Sequence, residues 1–423
     1  MAEQALSEHG MTWGEVFDQL IRRRGERIPY QSGQYSFFWR KPIENIWLAA
    51  EKAASLYFGE TYIGEANLPS QAIFDAEIKA MVAELVNLPA GGHVTLTSGG
   101  TESIFFGVKC ARELAREQGR AAPGSARRPN IVAPSSVHCA FEKAASYMDL
   151  EVRRVAIRDD ARADVRAMAE ACDEHTILIA GSAPSYPYGL IDPIPELARL
   201  SLEKDLWFHV DACVGGFVNP FFRELGVNLP PTDFLVPGVD SMSADLHKFG
   251  WAPPGISTFS LRDGSHQRLQ RFHFDGRLWQ CGDYETDTLA GSRPLAVLVA
   301  TWTAMKMLGR GGYLEGARRM REQIERLRRG IATIPELVLR WEPESAFVIY
   351  GSDELDTYAI ANGLNAHGVP TVCYPLMKPG IHLIIDPLET DQEVERYLAC
   401  VRQVITEVKD GQHQATGQAS TYG

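Results

Sequence analysis

The chain has 423 residues, enough for one large domain with a smaller one attached. Its hydrophobic fraction of 45% and charged fraction of 23% are typical of a soluble globular protein. The formal net charge of −12 argues against nucleic acid or an anionic membrane surface as a partner, but it is compatible with a local basic pocket for a small anion.

Residues 1–66 form an aromatic-rich segment, which we expect to be a partly helical arm that packs on another surface such as a second subunit. From residue 71 onward, helical patterns alternate with short apolar runs. The runs expected to be strands are 93–97, 130–134, 152–157, 176–181, 206–210, 239–244 and 256–261. The helical patterns between them are 71–87, 101–118, 138–148, 164–173 and 193–204.

This alternation predicts an α/β fold with a mostly parallel sheet covered on both faces. Two long helical patterns follow at 292–308 and 312–330. We assign residues 67–310 to a large ligand-binding domain, 311–409 to a smaller C-terminal αβ domain and 410–423 to a polar, disordered tail.

The cysteines and the N-terminal residues predict the compartment. Seven scattered cysteines without a C-x-x-C pair indicate reduced thiols and no disulfide framework. Residues 1–10 lack the basic and apolar regions of a signal peptide, and no run of about 18 apolar residues predicts a transmembrane segment. We therefore expect a cytoplasmic enzyme.

Polar residues that follow the apolar runs are candidate ligand contacts, because open α/β sheets bind ligands beyond the carboxyl ends of their strands. In TSGGTES (97–103), Gly100 and Thr101 begin a helix and form a nest for a phosphate, although a glycine turn with a threonine cap explains the pattern equally well. In SSVHCAFEKAA (135–145), His138 can stack on a flat aromatic ligand, but taken alone it is more often a helix-capping or surface residue.

Two further stretches carry ionisable side chains. In WFHVDACVGGF (207–217), Asp211 is expected to be nearly buried, which is costly unless it meets a cation. A metal pair with His209 is disfavoured because no matching second cluster of ligands exists. In SADLHKFGWAPPG (243–255), Lys248 is either a salt-bridging lysine or a nucleophile for carbonyl compounds whose pKa an apolar site lowers, and His247 beside it contacts a phosphate or a ring.

One ligand carries a group for each of the four stretches to bind. It has a phosphate, a flat ring, a protonatable ring nitrogen and an aldehyde, and these are the groups of pyridoxal 5'-phosphate (PLP). Sites for PLP combine a lysine that forms a Schiff base with an acidic partner for the ring nitrogen. We therefore predict that PLP is the cofactor and that Lys248 carries it.

The motif set GGTES, SVHCAFEKAA, HVDACVGGF and SADLHKFGWAPPG, in this order, resembles the fold-type I PLP-dependent enzymes of the group II decarboxylase superfamily. Within it, GSAPSYPYGLIDPIPELA (181–198) and AGSRPLA (290–296) are most similar to the sphingosine-1-phosphate lyase branch. The similarity covers roughly residues 67–408. It implies a fold-type I architecture, with a large domain around a mostly parallel sheet and a smaller C-terminal αβ domain.

The resemblance also implies residue roles around the cofactor ring. Lys248 would hold the cofactor as a Schiff base, and His138 would stack on the ring. Asp211 would keep the ring nitrogen protonated, which strengthens the electron sink. Ser182 would lie near the ring hydroxyl.

Other implied roles concern the cofactor phosphate and a second subunit. The residues that would contact the phosphate are Gly100, Thr101 and His247. In such enzymes the active site lies at a dimer interface, and the loop with Gly291 and Ser292 would reach the partner's cofactor. A homodimer with shared active sites is therefore implied by the resemblance.

The implied substrate pocket matches the lyase branch only in part. Tyr186 and Arg293 match pocket positions, and Asn67 is kept, but its segment is shorter and lacks the histidine of the branch. The branch also carries a lysine that helps to bind the substrate phosphate where this chain has Pro254. A pocket without these two groups should hold a dianionic phosphate less well, while Arg293 also suits a carboxylate.

The leading hypothesis is a PLP-dependent carbon–carbon lyase that cleaves a β-hydroxy amine by retro-aldol chemistry, with Tyr186 taking the proton of the β-hydroxyl. The first alternative, favoured by Pro254, is an L-amino-acid decarboxylase or an aldolase for a non-phosphorylated β-hydroxy amino acid. A catalytically idle PLP-fold binding protein is a further alternative, which Lys248 and Asp211 argue against. The expected partners are a small-molecule amine or amino acid and a second subunit, with no metal and no nucleic acid.

Overall fold

A computed structural model of the protein describes residues 10–25, 44–62, 69–120, 128–387 and 390–414. Nearly half of the predicted N-terminal segment 1–66, including its aromatic residues Tyr30, Tyr35, Phe37, Phe38 and Trp39, lies outside these residues. The predicted tail 410–423 is described as far as residue 414.

Helices and strands alternate along most of the described chain. The helices are α1 (Trp13–Gly25), α2 (Glu44–Leu56), α3 (Pro69–Leu85), α4 (Gly100–Glu117), α5 (Ala140–Met148), α6 (Val165–Ala171), α7 (Ile194–Lys204), α8 (Asn219–Glu224), α9 (Gln267–Gln270), α10 (Gly276–Trp279), α11 (Leu295–Ala332), α12 (Thr357–Ala366) and α13 (Asp391–Lys409). The strands are β1 (Thr61–Tyr62), β2 (His93–Thr97), β3 (Asn130–Pro134), β4 (Glu151–Val155), β5 (Thr176–Ser182), β6 (Trp207–Asp211), β7 (Ser241–Ala244), β8 (Ser257–Leu261), β9 (Phe272–Phe274), β10 (Tyr284–Thr286), β11 (Arg293–Pro294), β12 (Val338–Leu339), β13 (Phe347–Gly351), β14 (Cys373–Tyr374) and β15 (Gly380–Ile384).

A seven-stranded sheet with the order β2-β8-β7-β6-β5-β3-β4 forms the centre of the larger part of the molecule. The pairs from β7 to β4 are parallel, and β8 is antiparallel to both of its neighbours. Alternate strand residues contribute to two separate apolar cores: Val132 and Ile179 belong to one, and Ile131 and Leu178 belong to the other. The sheet is therefore mostly parallel and buried on both faces, which confirms the predicted α/β class.

The predicted strands and the helices between them are present, with ends shifted by a residue or two. The two predicted long helices, 292–308 and 312–330, are present as the two halves of α11, which are separated by a break at Gly309. The backbone there has φ 54° and ψ 179°, a positive φ that glycine adopts without steric cost. The predicted domain boundary between residues 310 and 311 falls beside this break and stays a prediction.

A smaller, four-stranded antiparallel sheet follows, with the order β12-β13-β15-β14. Helices α11 and α12 contact this sheet, and α13 packs on both of these helices. Helix α13 begins with a capping box, in which the Thr390 hydroxyl accepts from the Glu393 N–H and the Glu393 carboxylate accepts from the Thr390 N–H.

The N-terminal helices differ in their surroundings. Helix α2 lies against α11, whereas α1 exposes apolar side chains, with Trp13 71% exposed. The short strand β1 pairs with β11, which places Tyr62 opposite Arg293. None of the described helices combines the length and the apolar run that crossing a membrane requires.

Candidate cofactor and active site

A cavity of about 330 Å³ lies at the carboxyl ends of the central strands. It is lined by residues that directly follow β2, β3, β5, β6 and β7, the place where open α/β sheets bind their ligands. Seven of the predicted site residues line it together: Gly100, Thr101, His138, Tyr186, Asp211, His247 and Lys248.

The end of β2 and the start of α4 form one wall of the cavity. Helix α4 begins at Gly100 and has no side-chain cap, so its first N–H groups and its dipole can serve an anion. A Cβ on Gly100 would lie 2.6 Å from the sulfur of Cys213 and 2.8 Å from both carboxylate oxygens of Asp245. The position therefore admits only glycine, as a nest for a phosphate requires.

Glu102 is a buried residue of this wall that sequence reasoning missed. Its Oε2 accepts hydrogen bonds from the N–H and the hydroxyl of Ser98, both at 2.6 Å. Its Oε1 accepts from the N–H of Leu289 at 2.8 Å. One carboxylate thus joins the glycine nest to the loop that contains Gly291 and Ser292. An acidic residue in the first turn of a helix after a glycine pair is the only signal in the sequence.

Lys248 is paired with Asp245, which sequence reasoning also missed. Its Nζ lies 2.8 Å from Oδ2 of Asp245, whose side chain is 1% exposed. Burial alone lowers the pKa of Lys248, but the Asp245 carboxylate outweighs it and the net shift is upward. The pKa of Asp245 is lowered, because the Lys248 and His247 charges outweigh its burial. Of the two interpretations of Lys248, the salt bridge is present, and the net pKa shift is opposite to the one that an apolar site alone would cause.

His247 lies between the carboxylate of Asp245 and the glycine nest. Its Nδ1 donates a hydrogen bond to the carbonyl oxygen of Ile256 at 2.7 Å. Its Nε2 lies 3.7 Å from Oδ2 of Asp245, and a Cβ on Gly99 would lie 3.7 Å from its Cε1. The ring is therefore held next to the nest, as the sequence-based assignment to a phosphate requires.

Asp211 ends β6 and is 7% exposed. Its Oδ1 accepts hydrogen bonds from the N–H of Cys213 at 3.1 Å and from the hydroxyl of Ser243 at 3.2 Å. No described residue donates to Oδ2. The carboxylate thus lines the cavity with one oxygen held by the protein and the other available to a ligand.

His209 stands behind Asp211 in a directed chain of hydrogen bonds. Because Ser243 gives its hydroxyl proton to Asp211, Nε2 of His209, 3.3 Å from the Ser243 oxygen, must be the donor in that contact. Its Nδ1 then accepts from Ser241 at 2.8 Å, and the Ser241 oxygen accepts from the Trp207 indole N–H at 2.8 Å. Burial lowers the pKa of His209 to about 4, so the ring is neutral near pH 7. Both ring nitrogens of His209 are engaged in these hydrogen bonds, so neither is free for the metal pair that the sequence disfavoured.

His138 combines the two roles that the sequence left open. Its Nδ1 accepts the N–H of Ala140, the first residue of α5, at 3.1 Å, so it contributes to capping that helix. Its side chain also lines the cavity. The capping contact fixes the ring where a stacked aromatic ligand would meet it.

Tyr186 connects the cavity with the small sheet. Its hydroxyl lies 3.3 Å from the hydroxyl of Tyr374 on β14. His382 on β15 donates from Nε2 to the Tyr186 carbonyl oxygen at 2.8 Å, and burial lowers the pKa of His382 to about 4. Sequence reasoning assigned no role to these two small-sheet residues, because their contact with Tyr186 depends on how the chain folds back.

Several predicted residues do not line the cavity. Ser182 is buried at the end of β5, in register with Asp211, and its N–H donates to Asp192 at 2.8 Å. Arg293 donates to the carbonyl oxygen of Leu96 at 2.8 Å, and its guanidinium carbon lies 4.1 Å from the centre of the Tyr62 ring. Their assigned roles stay predictions.

The remaining predicted positions lie in loops or beyond the described residues. Gly291 and Ser292 belong to the loop that Glu102 anchors, and they are not among the cavity-lining residues. Asn67 lies outside the described residues. Pro254, at the position where the resemblance places a lysine, is exposed in a loop between β7 and β8.

The residues around the cavity fit PLP. The uncapped helix start at Gly100 suits its phosphate, Asp211 suits the ring nitrogen, and Lys248 is an amine for the aldehyde. Oδ1 of Asp245, a residue that lines the cavity, is buried without a hydrogen-bond partner among the described residues. A buried polar atom of this kind is rare unless a ligand or water satisfies it, which is consistent with an ordered polar ligand in the cavity.

Comparison with known proteins supports the same ligand. Residues 46–351 match the model of the pyridoxal-dependent decarboxylase conserved domain. A sphingosine-1-phosphate lyase of Arabidopsis thaliana is 38% identical over 83% of this chain and 64% of its own length. Sphingosine-1-phosphate lyase 1 of Rattus norvegicus is 36% identical over 99% of this chain and 73% of its own length. The chain thus spans about two thirds of these relatives.

A solved structure shows the same fold. The sphingosine-1-phosphate lyase of Burkholderia pseudomallei superimposes with a TM-score of 0.90 at 30% sequence identity, covering 97% of this chain and 94% of that one. Together with the cavity that fits PLP, the family match over residues 46–351 shows that the chain belongs to the pyridoxal-dependent decarboxylases, a family of PLP-dependent enzymes.

Proposed function

We propose that the protein is a PLP-dependent carbon–carbon lyase that cleaves a phosphorylated β-hydroxy amine into an aldehyde and a phosphoethanolamine-type product. The observation that carries the proposal is the meeting of Lys248, Asp211 and Tyr186 around one cavity in a chain so similar to sphingosine-1-phosphate lyases. The enzyme class follows from the family, and the substrate class is inferred from these relatives.

The positions of the cavity residues indicate which part of the cofactor each of them would bind. The uncapped start of α4, with Gly100 and Thr101, and the adjacent His247 would bind the cofactor phosphate. His138 would cover one ring face, and Asp211 would hold the proton on the ring nitrogen. When bound, PLP supplies an electron sink for the electron pair of the bond broken at the substrate Cα.

Two groups of the chain move protons. Asp245 keeps the Lys248 amine protonated, so Nζ can deliver a proton to the substrate carbon after cleavage. We assign the Tyr186 hydroxyl to proton transfer from the substrate β-hydroxyl: its oxygen takes that proton while its own proton passes to solvent, and the Tyr374 hydroxyl at 3.3 Å is its hydrogen-bond partner. Loss of that proton is what allows the Cα–Cβ bond to break and the aldehyde to leave.

We also infer a homodimer with shared active sites, located in the cytoplasm. Large apolar side chains around the loop with Gly291 and Ser292 are at least 41% exposed, and such patches mark protein interfaces. They are Phe272, Phe274, Leu278, Trp279 and Leu289. All seven cysteines are free, which favours a reducing compartment. Arg293 and Asn67 would complete the substrate pocket.

One observation favours a second function, decarboxylation or aldol cleavage of a non-phosphorylated amino acid. Position 254, where the lyase pattern has a phosphate-binding lysine, is an exposed proline. A substrate with a carboxylate in place of the phosphate needs no second lysine, because one arginine binds a carboxylate bidentately.

The test is a paired substrate assay on purified holoenzyme. The first arm offers a phosphorylated long-chain β-hydroxy amine and measures the fatty aldehyde and phosphoethanolamine released in equal amounts. The second arm offers a panel of L-amino acids and measures CO₂ and aldehydes. We expect equimolar products in the first arm and no turnover in the second.

An absorbance titration with phosphoethanolamine provides the control for the phosphate pocket. A saturable shift of the cofactor band is expected at low concentration if the pocket binds the head group without the lysine. Turnover of an amino acid together with no response to phosphoethanolamine would replace the lyase proposal with the second function.

A further inference from the structure

Two histidines and a glutamate cluster at the ends of α12 and α13, outside the residues that line the cavity. His367 directly follows α12, Glu407 lies in the last turns of α13, and His413 follows α13. One ligand atom of each residue lies within 4.8 Å of the other two. Three separate segments of the chain thus converge on one point.

The two imidazoles converge on one oxygen. Nε2 of His367 and Nε2 of His413 each lie 2.8 Å from Oε2 of Glu407. A tetrahedral zinc ion holds N and O ligands at about 2.0–2.1 Å, so neighbouring ligand atoms lie roughly 3.3 Å apart. To admit the ion, each nitrogen would lie about half an ångström farther from Oε2, and the two nitrogens, now within 4.8 Å of each other, would lie roughly 3.3 Å apart.

Residues around the cluster hold the ligands in place. Gln403 donates to Oε1 of Glu407 at 2.8 Å, and Nε2 of His367 lies 3.0 Å from that oxygen as well as 2.8 Å from Oε2. A Cβ on Gly363 would lie 2.9 Å from Cδ2 of His413, so this glycine makes room for the ring. The Asn362 side chain donates to the carbonyl oxygen of Gln414 at 2.8 Å and fastens the segment after α13 to α12.

The cluster is open to an ion and carries the right charge. The side chains of His367, Glu407 and His413 are 32%, 17% and 18% exposed. Glu407 supplies one carboxylate ligand beside the two imidazoles.

We propose that His367, Glu407 and His413 bind a divalent transition-metal ion, for which zinc is the best match. Two imidazoles and one carboxylate are ligands that zinc prefers, and a water molecule completes four-coordination. Each ring binds through Nε2, so the proton on that nitrogen passes through solvent to Nδ1 and no net proton is released from a neutral ring. The ion would cross-link α12, α13 and residues 410–414.

The experiment titrates Zn²⁺ into metal-stripped holoenzyme in competition with a chromophoric chelator and follows the melting temperature in parallel. The chain should bind one Zn²⁺ that His413→Gln or Glu407→Gln weakens by about tenfold or more, because each removes one of three ligands. The rise in melting temperature with Zn²⁺ should disappear in the same variants.

The matched control is His273→Gln. His273 is exposed and faces a single carboxylate, Glu285, at 3.1 Å, so its loss should leave the zinc stoichiometry and affinity unchanged. Zinc affinity that is equal in the wild type and in both cluster variants would overturn the proposal. It would show that the three residues form a hydrogen-bonded cluster only, whatever the outcome of the substrate assay.

Discussion

The two sheets each bury one neutral histidine, and they use it differently. His209 in the seven-stranded sheet has partners for both ring nitrogens and belongs to a chain of hydrogen bonds that ends on Asp211. His382 in the four-stranded sheet bonds only the Tyr186 carbonyl oxygen, and its Nδ1 is buried without a partner among the described residues. The large sheet therefore positions the cofactor contacts, while the small sheet positions one wall residue.

The largest effect in this comparison should come from Lys248→Ala. We expect it to abolish both turnover and the absorbance band of lysine-bound PLP, because no other described lysine lines the cavity. Lys378→Ala, which removes an exposed lysine paired with Asp353 next to the small sheet, should leave both unchanged. Residual turnover in Lys248→Ala would refute the assignment of the cofactor lysine.

A paired substitution of the two buried histidines tests the comparison directly. His209→Leu removes the ring N–H that donates to Ser243 and the ring nitrogen that accepts from Ser241, and it thereby loosens Asp211. A buried polar group left unpaired costs about 1–3 kcal/mol, and if that cost falls on the bound transition state, kcat/KM drops roughly fivefold to 150-fold together with a shifted cofactor band. His382→Leu should raise KM and leave the band unchanged, because it acts only through Tyr186.

Steady-state kinetics and absorbance spectra of the two variants check this difference. Similar spectra for both variants would mean that the His209 chain does not position Asp211. A shifted band in His382→Leu would mean that the small sheet reaches the cofactor, contrary to the geometry described above.

The free energy of unfolding should depend on pH differently in the wild type and in His382→Leu. Burial lowers the pKa of His382 to about 4, below the value of about 6.5 for an unfolded chain. As the pH falls from 6.5 to 4, the unfolded state takes up the proton first, so the histidine costs the native state increasing stability. The destabilisation caused by His382→Leu should therefore shrink on acidification, by at most about 1.4 kcal/mol per pH unit.

Denaturant unfolding of both proteins at several pH values measures this change. Taking the difference between them cancels the opposite contributions of Asp192 and Asp240, whose pKa values burial raises to about 6. A difference that stays constant between pH 6.5 and pH 4 would contradict the prediction.

The smallest effect should come from Tyr374→Phe. It removes a hydroxyl contact that is long, at 3.3 Å, but keeps the ring that packs beside Tyr186. A hydrogen bond at the weak end of the usual range contributes about 0.5 kcal/mol, so kcat/KM should fall only about two- to threefold. A loss as large as that of His209→Leu would give the small sheet a direct part in the chemistry.

The parts of the fold and site that could be predicted are those encoded locally. Apolar runs of four to seven residues mark buried strands, and the polar residue that ends each run lies at the ligand-binding edge, as Asp211 and Lys248 do. The motif order then restricts the ligand, since each of the four stretches supplies one group that PLP requires.

The parts that could not be predicted depend on contacts between distant segments. Glu102 meets the N–H of Leu289 across 187 positions, and Tyr186 meets Tyr374 across 188. The direction of the Lys248 pKa shift depends on one contact with Asp245, three residues earlier, which a sequence pattern does not distinguish from an exposed pair. Likewise, His367 and His413 come together only because α12 packs on α13.

The hydrogen bonds of Glu102 to two distant segments have a thermodynamic consequence. One carboxylate holds Ser98 beside the nest and Leu289 in the loop, so order in the loop and binding at the nest are linked quantities. Linkage is reciprocal: whatever factor an ordered loop adds to the affinity for a phosphate, a bound phosphate adds to the stability of that loop. If cofactor binding and subunit association both order this loop, each process favours the other by the same free energy.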